Sequence, residues 1–336
     1  MSDIRPGSQP DWSGRRVLVT GAEGFIGSTL VDLLVARGAQ VRALVHYKPY
    51  ADKGFLAGYL DSGQVEMAAG DVRDAGRVHD VVAGCDTVFH LAALIGIPYS
   101  YQAPEAYVQT NVTGTQNVAA ACLRHGARLV HTSTSEVYGT ALTAPITERH
   151  PLQPQSPYSA SKIGADMMAL SYHHAFELPV TVVRPFNTYG PRQSARAVIP
   201  TILAQLHSGT RQIKLGSVTP TRDFTFVTDT AEGFLAAARA DRTLGETINR
   251  GTGTEVSIGD LAQALITATG AEAEVVVDPS RLRPVGSEVQ RLLSDNSRAR
   301  ELAGWTPKVG LAEGLSHTSD WVRDNLRLFA PNRYQV

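Results

Sequence analysis

Val17-Leu18-Val19-Thr20-Gly21-Ala22-Glu23-Gly24-Phe25-Ile26-Gly27 runs a short apolar stretch directly into three glycines and then into a helical pattern. A β-strand ending in such a turn leaves the first backbone N–H groups of the following helix free to face an anion. Gly21 allows the tight turn, Gly24 lets the backbone approach a pyrophosphate, and Gly27 lets helix and strand pack closely. Phe25 and Ile26 lie in the same turn. Glycines at this spacing also occur in ordinary tight turns. It is their place at the first strand–helix junction that points to dinucleotide binding.

Outward from this junction, short β-branched runs alternate with helical patterns. Strands are expected at 16–20, 40–45, 65–69, 87–91, 128–132 and 180–184, and helices at 25–37 and 113–125. Several of these strands are apolar on both faces, as strands covered by helices on two sides must be. The fold class is therefore α/β, a Rossmann-type doubly wound parallel sheet with a smaller α/β substrate-binding lobe. The expected organisation is a flexible leader over 1–14 and a dinucleotide-binding domain over 15–186, with 224–250 returning to it. Residues 187–223 and 251–336 form the lobe, with a strand near 246–249 and helices over 258–269 and 311–329.

The 336 residues carry a net charge of −1, with 43% hydrophobic and 19% charged residues. That balance gives no electrostatic reason to expect nucleic acid or an anionic membrane as partner. The start of the chain lacks a signal-peptide layout, and no run is long and apolar enough to span a membrane, so a cytoplasmic protein is expected. Two cysteines, Cys85 and Cys122, do not indicate a disulfide framework. No metal-ligand cluster stands out, and no metal is expected.

Several residues extend the cofactor reading. The second strand ends Val45-His46-Tyr47-Lys48, without the acid that holds the ribose hydroxyls of NAD in many such folds. His46 and Lys48 suit a 2′-phosphate or are solvated loop residues, so NAD and NADP both remain open. Asp71 and Val72 follow the third strand at the place of the adenine edge. Leu91-Ala92-Ala93, after the fourth, is small enough for a cofactor to lie close.

Chemistry is signalled by Tyr158-Ser159-Ala160-Ser161-Lys162. Residues four apart share a helix face, and a nearby ammonium lowers the proton affinity of a phenol. Tyr158 then acts as a base towards a hydroxyl whose carbon is losing hydride. Upstream, Thr132-Ser133-Thr134-Ser135-Glu136-Val137-Tyr138-Gly139 sets hydroxyls and a carboxylate at the carboxyl end of a central strand, where open α/β sheets bind ligands.

These motifs, together with Arg184-Pro185-Phe186-Asn187-Thr188-Tyr189-Gly190-Pro191-Arg192, resemble the extended short-chain dehydrogenase/reductases, and within them the nucleotide-sugar epimerases and dehydratases. The likeness covers most of the chain, in order. It implies that Thr134 holds the sugar hydroxyl being oxidised, with Tyr158 as base and Lys162 as its support. Thr132 and Pro185 line the cofactor, and Val198 lines the substrate. Asn187, Arg192, Arg222 and Arg283 lie near the nucleotide diphosphate, although each arginine alone is equally a surface ion pair. It also implies a tightly bound, recycled cofactor and a homodimer formed through a four-helix interface that includes the Tyr158 helix.

Glu136 stands where a 4,6-dehydratase keeps its C5 base. Ser135 replaces the aspartate that acts as acid in many glucose-type dehydratases. The Thr-Ser-Glu version, with the stretch from His90 to Arg196, most resembles the bacterial dehydratases that begin legionaminic acid synthesis. That likeness implies a UDP- or GDP-N-acetylglucosamine substrate. A UDP-glucuronic acid decarboxylase is the first alternative and an epimerase the second. A non-catalytic dinucleotide sensor would be expected to have lost Tyr158, Lys162 or the glycines.

Overall fold

The computed structural model describes residues 12–46 and 54–329. Lys48 therefore lies outside the described residues. Six strands, β1 (Arg16–Thr20), β2 (Gln40–Val45), β3 (Val65–Ala69), β4 (Thr87–His90), β5 (Arg128–Thr132) and β6 (Val180–Pro185), form one parallel sheet with Thr247–Arg250. The order is β3-β2-β1-β4-β5-β6 followed by Thr247–Arg250. Chain direction across the sheet reverses between β1 and β4, which opens a crevice at their carboxyl ends.

Alternation along β1 explains the two-sided burial. Val17 and Val19 join one apolar cluster with helices Phe25–Ala36 and Val227–Arg239, while Leu18 joins the opposite cluster with Val78, Val118 and Ala169. The expected leader ends differently from its polar composition. Trp12 is only 4% exposed and packs 5.8 Å from Phe89, because an indole gains more from that core than from solvent.

The expected return over 224–250 divides in two. Thr247–Arg250 pairs with β6, and Val227–Arg239 covers the β1 face. Phe224–Phe226 instead pairs with Asn187–Tyr189, and its phenylalanines enter the core of the lobe. That lobe also holds a three-stranded sheet ordered Val256–Ser257, Thr221–Arg222, Arg291–Leu292 and a pair Gln212–Leu215/Glu274–Val277. Among the described residues no helix is long and apolar enough to cross a membrane.

The helix Pro157–Phe176 is started by a reciprocal cap. Ser156 Oγ accepts from Ser159 N at 3.1 Å, and Ser159 Oγ accepts from Ser156 N at 3.0 Å. Pro157 occupies the first turn, where its missing N–H is harmless. Tyr158, Lys162 and Asp166 follow at intervals of four, on one buried face that points at the end of β5.

Candidate active site

The glycine turn fits a dinucleotide for steric reasons. Gly21 has φ +67°, and a Cβ there would lie 2.8 Å from Ala92 N. A Cβ on Gly27 would sit 2.2 Å from Gly21 O. Gly24 caps Phe25–Ala36 without a side-chain bond, so the first amides of that helix stay available for a pyrophosphate. Ile26 packs against the core below, and Phe25 O accepts from Ser28 and Thr29 hydroxyls.

A hydrogen-bond chain fixes the crevice between β1 and β4. Leu91 N and Ala92 N both donate to Thr20 Oγ1 at 3.1 Å, and Ala93 follows them along the crevice. Thr20 Oγ1 lies 2.8 Å from His90 Nδ1, and His90 Nε2 lies 3.1 Å from Thr115 Oγ1. Thr115 in turn donates to Asn111 O at 2.6 Å. Asn111 is buried and binds both Leu94 N and Leu94 O, while its Nδ2 also donates to Ser161 Oγ at 2.9 Å. Reading the sequence alone misses Asn111, because it sits on a π-helical turn (Val108–Thr113) that breaks the regular helical period.

Asp71, expected at the adenine edge, is already engaged by a neighbour. Arg73 Nη2 donates to it at 2.6 Å and holds its carboxyl below the usual range. Val72 is buried, and its carbonyl accepts from Asn117 Nδ2. His46 is exposed, with its backbone N–H directed at Glu23 Oε1 of the glycine turn.

Lys162, Tyr158, Thr134 and Glu136 gather at the end of β5. Lys162 Nζ donates to Thr132 O at 2.5 Å, while Thr132 Oγ1 is buried and has no hydrogen bond among the described residues. Burial pushes the Lys162 ammonium down to about 8, opposed by the Asp166 carboxylate. Tyr158 is 8% exposed. Burial drives its phenol well above the ordinary value, Thr134's hydrogen bond pulls it down and Glu136 adds to the rise. For Tyr158 to act as a base, extra positive charge would have to stand beside it. Thr134 Oγ1 caps the Ser135–Tyr138 turn by accepting from Glu136 N, and Ser135 is buried in that turn.

Across from this turn stand residues of the lobe. Arg222 is buried; burial lowers its guanidinium, and the facing Glu136 carboxylate counters this. Arg222 and Arg283 share Glu288, at 3.4 and 3.5 Å. Asn187 Oδ1 is buried without a hydrogen bond among the described residues, as a group awaiting a ligand donor would be. Pro185 ends β6 beside it, and Val198 opens the helix Val198–His207. Arg192 departs from this group. It adopts φ +72°, pairs with Asp32 at 2.8 Å and lies over Phe55, so it ties the lobe to the helix after the glycine turn.

A doubly wound sheet, a glycine cradle and a Tyr–Lys pair facing a Thr–Glu turn define a dinucleotide-dependent enzyme of the Rossmann class. The family model "GDP-mannose 4,6 dehydratase" matches residues 18–318. A dTDP-glucose 4,6-dehydratase of Streptomyces antibioticus is 38% identical over 320 residues, covering 94% of each chain. A UDP-glucose 4-epimerase of Mycolicibacterium smegmatis is 36% identical, over 92% of this chain and 99% of its own. The structure of DesIV, a dTDP-glucose 4,6-dehydratase from Streptomyces venezuelae with NAD and TYD bound, superposes with a TM-score of 0.84 at 31% identity, covering 94% of this chain and 99% of DesIV. The chain belongs to the GDP-mannose 4,6-dehydratase family, among the extended short-chain dehydrogenase/reductases.

Proposed function

We propose that this enzyme is a nucleotide-sugar 4,6-dehydratase working with a tightly held, recycled NAD, and that its donor is a UDP- or GDP-N-acetylglucosamine. The observation that carries the reading is the placement of Glu136 on a capped turn, electrostatically coupled to Tyr158 on one side and Arg222 on the other. A C4 epimerase has no use for that carboxylate, whereas elimination needs a base at C5.

The turn of Gly21, Gly24 and Gly27 would hold NAD, whose chemistry there would be to take a hydride from C4 and give it back to the sugar after elimination. Tyr158 takes the proton of the C4 hydroxyl, Thr134 orients that hydroxyl, and Lys162 stabilises the phenolate. The 4-ketone makes the C5 hydrogen acidic, Glu136 takes it as a proton, and the C6 hydroxyl leaves as water on taking up a proton, so that C5 and C6 together lose one H⁺ and one OH⁻. Asn187, Arg222 and Arg283 hold the diphosphate, Arg through its planar fork. NAD is preferred over NADP because relatives of known structure hold NAD. The active species is a homodimer, joined through the Tyr158 helix.

The N-acetylglucosamine assignment rests on the Thr-Ser-Glu turn and on the likeness to the legionaminic acid dehydratases. The assay is mass spectrometry of products from UDP-N-acetylglucosamine, GDP-N-acetylglucosamine, dTDP-glucose and UDP-glucuronic acid, each incubated separately. Loss of one water from an N-acetylglucosamine donor supports the assignment. Loss of water from dTDP-glucose alone keeps the reaction and overturns the donor. Loss of carbon dioxide from UDP-glucuronic acid replaces the dehydratase with a decarboxylase.

A further inference from the structure

Behind the reacting groups lies a buried carboxylate that the chemistry above does not use. Asp166 is fully buried and stands one helical turn beyond Lys162. Its Oδ2 accepts from Ser133 Oγ at 2.7 Å, Arg184 Nη2 at 2.8 Å and Arg184 Nε at 3.0 Å. His131 Nε2 lies 3.3 Å from its other oxygen. Arg184 Nη1 donates to the Tyr138 hydroxyl at 2.9 Å, which donates to Asn249 Oδ1 at 2.7 Å.

The two ends of this network are informative. Ser133 immediately precedes Thr134, and Tyr138 closes the Ser135–Tyr138 turn that carries Glu136. Asp166 therefore grips the turn at its entrance directly and at its exit through Arg184. The same carboxylate is rooted in the helix that presents Tyr158 and Lys162. An apolar contact could fill this space, but it would not fix the turn against the helix in angle as well as distance. A buried ion pair is a costly way to gain stability and a good way to gain a single geometry.

The geometry points to Asp166 as a positioning residue that holds the Thr134–Glu136 turn in register with Tyr158 and Lys162, so that turnover depends on it and donor binding does not. Resting on the assignment of those four groups as the reacting set, the inference concerns how they are aligned. Charged or titratable groups facing Asp166 are His131 and Arg184 from the sheet and Lys162 from its own helix, with Tyr138 beyond Arg184. Displacing a reacting group by about 1 Å costs about 100-fold in rate, so loosening one tether has a kinetic signature.

The test compares Ser133→Ala, Asp166→Asn and Tyr158→Phe in the holoenzyme, using whichever of the four donors the wild type converts. Ser133→Ala removes one tether and leaves the Asp166–Arg184 pair intact, so it reports even if Asp166→Asn fails to fold. The expected result is a kcat lowered at least about tenfold with KM within about twofold, and activity restored by Ser133→Thr. Hydrogen exchange needs no substrate and reads the same samples: residues 133–139 should exchange at least about tenfold faster in Ser133→Ala, while the glycine turn is unchanged. Unaltered exchange in 133–139, or an unaltered kcat in Ser133→Ala, overturns the inference. Full activity in Tyr158→Phe removes the reacting set itself, a separate failure from the loss of its alignment.

Discussion

Lys162 donates its ammonium to the carbonyl oxygen of Thr132, so the helix Pro157–Phe176 is fastened to the last residue of β5 by a buried charge. Burial holds that ammonium down at about 8, below its ordinary 10.5. Between these values the unfolded chain keeps the proton and the folded chain releases it. Stability contributed by this site therefore rises with pH across that window. Relative to Lys162→Met, the ligand-free protein should gain up to about 1.4 kcal/mol per pH unit between about pH 8 and pH 10. Urea denaturation of both proteins at several pH values measures this. A constant difference would mean that the lysine is hydrated in the folded state.

Tyr158→Phe removes the proton acceptor but leaves the ring that packs edge-on to Tyr107 at 6.2 Å. Turnover should fall by about 100-fold or more, with donor affinity unchanged by calorimetry. Glu136→Gln should separate the later step. Incorporation of solvent deuterium at C5 of the donor should vanish in this variant, as followed by mass spectrometry. Deuterium entering at the wild-type rate would assign the C5 base elsewhere.

Arg192 and Arg222 should respond in opposite ways. Arg222→Ala takes a buried guanidinium from the substrate side and should weaken UDP binding about 10- to 100-fold. Arg192→Ala breaks an ion pair with Asp32 at the junction of lobe and helix. It should leave UDP affinity within about twofold and lower the thermal midpoint by a few degrees at most. Titration calorimetry and scanning calorimetry on the same samples make the comparison.

Gly27→Ala is expected to be severe although it adds one methyl. A Cβ there would stand 2.2 Å from Gly21 O, backbone that cannot swing aside. The helix must lift from the turn, so NAD binding measured by fluorescence titration should be lost while the far-ultraviolet circular dichroism stays largely intact.

Arg250 offers a stability test away from catalysis. It is fully buried over Trp305, with Nε and Nη1 lacking hydrogen bonds among the described residues, and burial lowers its guanidinium to about 9. Replacing such a charge with an apolar chain of similar length is often neutral or stabilising by about 1–4 kcal/mol. Arg250→Met should therefore have an equal or higher denaturation midpoint, and a large drop would show that the charge is compensated.

The six-stranded part of the sheet was legible because buried parallel strands are short β-branched runs between helical periods, and Arg16–Thr20 to Val180–Pro185 have that form. The lobe was less so. Its strands Thr221–Arg222, Val256–Ser257 and Arg291–Leu292 are two residues long, and their pairing is fixed by distant contacts that no local pattern carries. Trp12 read as part of a polar leader because its partner, Phe89, is remote in sequence. Arg192 was expected near the diphosphate from its motif, yet its left-handed backbone goes with a partner, Asp32, on another element. Asp166 had a visible signal in the interval from Tyr158 through Lys162, but its role depends on Ser133 and Arg184 meeting it in space.

The chain of bonds through His90 has a direction. Because Thr20 Oγ1 already accepts two backbone N–H groups, its own proton must go to His90 Nδ1. The other ring nitrogen then carries hydrogen towards Thr115, whose hydroxyl hands on to Asn111 O. An imidazolium would have no acceptor to offer Thr20, and burial disfavours it further, as it does at neighbouring His131. His90 thus serves as a spacer of fixed polarity, and the floor of the crevice passes its hydrogen bonds one way, from Thr20 on the first strand to Asn111 on the π-helical turn.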